Sequence, residues 1–228
     1  MKNMTQTPYA EVAACNETHL ACAMILDRSG SMNGTPLEEV IQGVENFKKQ
    51  TSRDDIAMKR VDVAIISMGD DVKVEQDFIP LPKFSEMPKL ALTAGGQTPM
   101  GEAVEKAVQM VRDRNRMYDE IGIPHHKGII FLLTDGEPSD NIENAKTLVR
   151  QREDTGRLKF FSVAVNGANT NILHSFSKRV IQATKEDDFK GIFNWLSESM
   201  SIISASSVQD NPQLPDLPEN FQRVPADW

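Results

Sequence analysis

Three short stretches place small oxygen-bearing side chains where chemistry is feasible. The first, D-R-S-G-S-M-N-G-T-P, sets Asp27, Ser29 and Ser31 on alternate residues directly after an apolar run. The second, G-G-Q-T-P-M-G, carries Thr98 before Pro99, and the third, L-T-D-G-E-P-S, carries Asp135 beside Gly136. Carboxylate and hydroxyl oxygens are hard ligands, suited to magnesium, with manganese or calcium as alternatives. Each stretch also has a plainer reading. Thr98-Pro99 is an ordinary helix start, and Asp-Gly is an ordinary turn. The choice depends on whether the surrounding elements bring the three stretches to one place.

Strand-like and helix-like runs alternate along the chain, which points to an α/β fold: a Rossmann-like, doubly wound, mostly parallel sheet with helices on both faces. Residues 20–26 (L-A-C-A-M-I-L) are continuously apolar, as in a strand covered on both faces. A helix follows, with Leu37, Val40, Ile41, Val44 and Phe47 on one face. Its expected start has Thr35 as N-cap, Pro36 in the first helical position and Glu38 completing a capping box. Residues 61–68 read as a strand. After a turn at Asp70 and Asp71, residues 72–79 return as one antiparallel edge strand, and the proline-rich 80–88 as a loop. Helices are expected over 99–118, 141–153, 171–177 and 189–203, with Thr98 capping the first. Strands are expected over 129–133, 158–165 and 180–183. In a sheet of this kind the three oxygen-rich loops all follow segments ending at the same edge, where ligands bind.

Composition narrows the classes of function. A formal charge of −8 and a pI near 5.1 argue against a nucleic-acid surface, which needs clustered Lys and Arg. The longest strongly apolar runs are too short to span a bilayer, and the first residues lack the apolar core of a secretion signal. Cys15, His19 and Cys22 lack the spacing of a zinc site and read as free thiols and a lone histidine of a reducing cytoplasm. His125 and His126 read as a solvated loop at the far edge of the sheet. The acidic groups at 54–55, 70–71 and 186–188 read as solvated turns. Met68 and Met110 look like core filler. Met32, Met100 and Glu137 flank the oxygen-rich loops and are candidates for a partner-binding rim. After Ser207, prolines 212, 215, 218 and 225 rule out a regular helix. That segment is either a loose end or a strap anchored by Leu214, Leu217, Phe221 and Trp228.

The three stretches, in this order, resemble the metal-ion-dependent adhesion site of a von Willebrand factor type A domain, over roughly residues 19–203. The resemblance implies an N-terminal extension at 1–18, the domain at 19–207 and a proline-rich tail at 208–228. It implies that Ser29 and Ser31 are direct hydroxyl ligands of a divalent cation. Thr98 is then a third ligand, direct or through water, while Asp27 and Asp135 act largely through bound water, or one of them directly. Because most of the direct ligands are neutral, much of the cation's charge is left to attract an Asp or Glu carboxylate of a partner protein. The stretches D-R-S-G-S-M-N-G-T-P-L, G-G-Q-T-P-M-G-E-A and F-N-W-L-S-E-S-M are also similar to bacterial cytoplasmic TerY/YegL-type proteins. That likeness implies a scaffold in tellurium-resistance-type systems, with protein kinase or phosphatase partners. The competing class is a metal-dependent phosphohydrolase-like enzyme using Asp27 and Asp135. Such an enzyme wants an acid two residues past its nucleophile, where this chain has Ser29. No catalytic residue is assigned.

Overall fold

A computed structural model describes residues 17–185 and 189–225. Cys15, the 186–188 cluster, Trp228 and most of the 1–18 extension lie outside the described residues. The first strand, β1 (Leu20–Asp27), leads through a short 3-10 turn (Gly30–Met32) into α1 (Thr35–Thr51). Then come α2 (Asp55–Arg60), β2 (Val61–Met68), β3 (Val72–Pro80), α3 (Leu81–Glu86) and α4 (Met100–Glu120). The second half holds β4 (Gly128–Thr134), α5 (Glu143–Asp154), β5 (Leu158–Ala164), α6 (Thr170–Phe176), β6 (Val180–Ala183), α7 (Lys190–Ala205) and β7 (Phe221–Arg223).

The strands form one sheet in the order β3-β2-β1-β4-β5-β6-β7. The five inner strands are parallel; β3 and β7 run antiparallel at the two edges. Side chains of successive strand residues point to opposite faces, so two separate cores result. Leu20, Cys22, Met24 and Leu26 pack in one core with residues of α1 and α7 such as Val44, Phe193 and Leu196. Ala21, Ala23 and Ile25 pack in the other with Val104, Val108 and Val111 of α4. This double burial explains why β1 reads as an unbroken apolar run. Burial also pushes the Cys22 thiol up to about 12, which leaves it unreactive near neutrality.

Several local expectations are corrected. Thr35 lies inside α1; Gly34, at φ 85, is the N-cap, and its carbonyl accepts from Glu38 N at 3.2 Å. The expected loop at 80–88 contains α3, because Leu81 and Phe84 are one helical turn apart and both buried. The acidic turn at 54–55 starts α2: Asp54 Oδ1 accepts from Ile56 N at 2.9 Å and Ala57 N at 3.0 Å. His125 and His126 are not a solvated loop. His19 N donates to Pro124 O at 2.9 Å and His126 N to His19 O at 2.8 Å, which leaves His126 only 4% exposed.

The segment after Ser207 straps across the sheet. Trp195 Nε1 donates to Pro215 O at 3.0 Å, Leu214 and Leu217 pack on the core, and Phe221 is buried. Through β7 it supplies the antiparallel partner of β6, a second such edge beside the expected one at β3.

Candidate metal centre

The strand order reverses between β1 and β4: α1 and α2 carry the chain from β1 to β2 on one side, while β4 lies on the other. A crevice opens at the carboxyl ends of such a strand pair. Asp27 is the last residue of β1 and Thr134 the last of β4, and Thr134 Oγ1 donates to Asp27 Oδ2 at 2.5 Å. Asp27 Oδ1 accepts from Ser29 N at 2.8 Å, which bends the chain back over the strand end. The hydroxyls of Ser29 and Ser31 are 3.1 Å apart, and Ser31 Oγ donates to Asp135 Oδ1 at 2.8 Å.

Backbone bonds fasten the three loops to one another. Gly30 N donates to Gly96 O at 3.1 Å, and Gly95 N to Arg28 O at 2.9 Å. Gly96 has φ 74, and a Cβ there would come within 2.4 Å of the Asp70 backbone, so no other residue fits without moving the loop. Ser139 N donates to Thr98 O at 2.9 Å, joining the second loop to the third. Thr98 does not cap α4 as expected. The helix begins at Met100, and the Asp140 carboxylate caps it from the third loop, accepting from Gly101 N at 2.9 Å and Glu102 N at 2.8 Å. The Thr98 hydroxyl thus serves no cap. It lies beside Gly136, where a Cβ would stand 2.8 Å from Thr98 Oγ1 and 3.7 Å from Asp27 Oδ2.

The electrostatics leave an unmet demand for positive charge. Asp27 is fully buried, and among the described residues no cation pairs with it. Burial pushes its pKa up, and the charge of Asp135 adds to this, against the hydrogen bonds from Ser29 and Thr134. Burial likewise raises the pKa of Asp135. Arg28, although next in sequence, turns away: its Nε donates to Ser67 Oγ at 3.2 Å and its Nη2 pairs with Asp71. Two neighbouring carboxylates, three nearby hydroxyls and a glycine at 136 that keeps a side chain out from between Thr98 and Asp27 fit a small hard cation. Among the described residues no group of three or more His, Cys, Asp or Glu is placed to hold a metal, so any cation here would depend on the hydroxyls.

A family model for the von Willebrand factor type A domain matches residues 23–195. The chain belongs to the von Willebrand factor type A domain family. Domains of this family generally mediate protein–protein interaction and often bind a divalent cation. No curated protein matches the chain in sequence. Among solved structures, it is similar to proximal thread matrix protein 1 from the mussel byssus, at 17% identity over 83% of this chain and 47% of that one, TM-score 0.58. It is similar to the pilus adhesin SpaC of Lactobacillus rhamnosus GG in its open conformation, at 12% identity over 82% and 30%, TM-score 0.61. The manganese-loaded TRAP protein of Plasmodium vivax is similar at 18% identity over 74% and 69%, TM-score 0.53. These likenesses establish the fold. The chain spans less than half the length of the mussel and Lactobacillus proteins.

In this von Willebrand factor type A domain the proposed ligand residues Asp27, at the end of β1, and Ser29, Ser31, Thr98 and Asp135, on the loops beyond the strands, come together at the carboxyl ends of the parallel strands. Met32 and Met100 do not form an exposed rim: both are fully buried, in opposite cores of the sheet. Glu137 is exposed and accepts from Asn169 Nδ2 at 3.1 Å. Sequence reasoning missed Thr134 and Asp140. Thr134 was legible in principle as the hydroxyl preceding Asp135 at a strand end. Asp140 was not, because it caps a helix forty residues upstream. No described helix is long and apolar enough to cross a membrane.

Proposed function

We propose that the domain is a cation-dependent protein-binding module. In this reading Ser29, Ser31 and Thr98 present hydroxyls to one divalent cation, while Asp27 and Asp135 hold it largely through water. Magnesium suits the set best, with manganese or calcium as alternatives. A cation held by mostly neutral groups supplies a coordination position for an Asp or Glu carboxylate of a partner protein. The observation carrying the reading is the buried Asp27 carboxylate, bonded to Ser29 N and the Thr134 hydroxyl with no cation beside it among the described residues, next to a Ser29–Ser31–Asp135 hydrogen-bonded chain and the Thr98 hydroxyl at Gly136. The chain's own residues fix the geometry. Thr134 and Ser29 N lock both Asp27 oxygens, Asp140 anchors the Thr98 loop, and Glu137 with Asn169 forms the rim.

The likeness to TerY/YegL-type proteins supports a finer proposal: a bacterial cytoplasmic scaffold of a tellurium-resistance or stress-response system, with a kinase or phosphatase as the acidic partner. The hydrolase reading finds less support. Both Asp27 oxygens accept hydrogen bonds from the protein and the side chain is shielded from attack on a substrate, while Arg28 is engaged with Asp71.

The test is affinity capture with magnesium and with EDTA, using the wild type and the Ser29→Ala/Ser31→Ala double variant. The expected result is a captured partner that is lost in EDTA and absent with the variant. Equal capture in all conditions would overturn cation bridging. Turnover of a phosphoester by pure protein, abolished in Asp27→Ala, would restore the hydrolase.

A further inference from the structure

The opposite pole of the sheet gathers positive charge. Phe161 and Val163 of β5 face one core, and Leu158, Phe160 and Ala164 face the other. Lys159 shares the parity of Phe161, so a lysine stands on an apolar face of an interior strand, only 9% exposed. Lysine is rarely so covered without a carboxylate partner. Among the described residues no hydrogen bond or ion pair reaches its ammonium, and its charged neighbours are Arg179 and Lys127. Burial first, then these two cations, lowers its pKa.

Lys159 lines a cavity of about 440 Å³ between strands β5 and β6 and the strap at residues 211–214. Lys178, Arg179 and Arg223 bring further positive charge to its wall, and Phe161 and Trp195 give it an aromatic side. Among the described lining residues there is no aspartate or glutamate. The nearby Glu153 is occupied, binding Arg179 Nη1 at 2.5 Å and Phe160 N at 2.9 Å. In a chain with a net charge of −8, four cationic side chains on one cavity wall, with no carboxylate among the described lining residues, make a positive patch suited to an anion.

We propose that this cavity binds a small phosphate monoester, with the phosphate at Lys159, Arg179 and Arg223 and the apolar body of the ester against Phe161 and Trp195. A phosphate's two charges and multiple acceptors match several ammonium and guanidinium donors, and Arg179 can reach it while keeping its contact with Glu153 through a second nitrogen. The aromatic wall selects an ester over the free ion. The site stands independently of the cation site, since Lys159 is near the start of β5 and Asp27 ends β1.

Titration calorimetry with phenyl phosphate and with inorganic phosphate, at constant ionic strength in EDTA, tests the proposal. EDTA removes any cation from the other pole. Phenyl phosphate is expected to bind one site, more tightly than inorganic phosphate. Lys159→Met is expected to weaken binding ~10-fold or more, because it removes a charge-assisted contact. The unliganded melting temperature of that variant should be unchanged or higher, since an apolar side chain replaces a lysine whose charged neighbours are both cations. Arg223→Gln, on the exposed edge strand, should weaken binding several-fold without affecting folding. Absence of saturable binding, equal affinity for the two probes, or affinity unaltered in both variants would each overturn the proposal.

Discussion

Gly136→Ala alters the geometry of the cation site without replacing any proposed ligand residue. The added methyl would stand 2.8 Å from Thr98 Oγ1, well inside van der Waals contact, so one of the two must move by roughly 0.5 Å. The Thr98 backbone cannot easily yield, because its carbonyl accepts from Met100 N at 2.7 Å and Ser139 N at 2.9 Å. The displacement therefore falls on the Thr98 hydroxyl, and rotating its side chain withdraws a ligand. Magnesium demands oxygens at about 2.0–2.1 Å in near-octahedral arrangement and tolerates little displacement. Affinity is expected to fall at least ~10-fold, or about 1.4 kcal/mol. The fold should be less affected: Gly136 is outside the left-handed region, so alanine adds no backbone strain there. The assay is thermal unfolding with and without magnesium. A cation at about 100 times its dissociation constant stabilises the wild type by ~2.7 kcal/mol, roughly 5–10 °C for a domain of this size. The variant should show about half that rise at the same concentration, and a melting temperature in EDTA close to the wild type. An equal magnesium-dependent rise in both proteins would refute the placement of Thr98 in the site.

Four further predictions concern the framework. Asp140→Ala should cost about 0.5–2 kcal/mol in chemical denaturation by uncapping α4, and should also weaken cation affinity by loosening the Thr98 loop. Asp62 is a fully buried carboxylate that accepts from Arg114 Nη2 at 2.8 Å and from Tyr118 OH, so Asp62→Leu should destabilise by about 3–5 kcal/mol by stranding the Arg114 charge. Burial pushes the Asp62 pKa up, but its contacts with His19, Arg114 and Tyr118 outweigh this and leave it below the ordinary carboxylate value. Its stabilisation is therefore complete above the unfolded value near pH 4 and is lost as pH falls below that; the wild type should lose more stability there than Asp62→Asn. Phe221→Ala should cost about 3–5 kcal/mol and release the strap, detected as faster proteolysis after Ser207.

The parts of the fold that were legible are those written in local pattern. The apolar run at 20–26 and the one-face spacing of Leu37, Val40, Val44 and Phe47 specify buried strand and amphipathic helix without outside help. The three oxygen-rich loops were legible because a doubly wound sheet brings the ends of its parallel strands to one edge. What failed was set by contacts distant in sequence. Thr98 had the composition of a helix cap, but Asp140 takes that role from another loop. His125 and His126 look like a polar loop until His19 pairs with them and buries them. Met32 and Met100 flank the oxygen-rich loops in sequence yet are fully buried, since proximity along the chain says nothing of depth. The tail's prolines excluded a helix, yet the anchoring of Phe221 and the Trp195–Pro215 hydrogen bond depend on α7 and β6 being already in place.

The most direct test of the central claim is the anomalous signal from a crystal of the protein grown with saturating manganese. The account predicts one peak at coordination distance from the hydroxyls of Ser29, Ser31 and Thr98, with Asp27 and Asp135 directly or through water around it. No peak there, or a peak elsewhere with those hydroxyls unliganded, would contradict it.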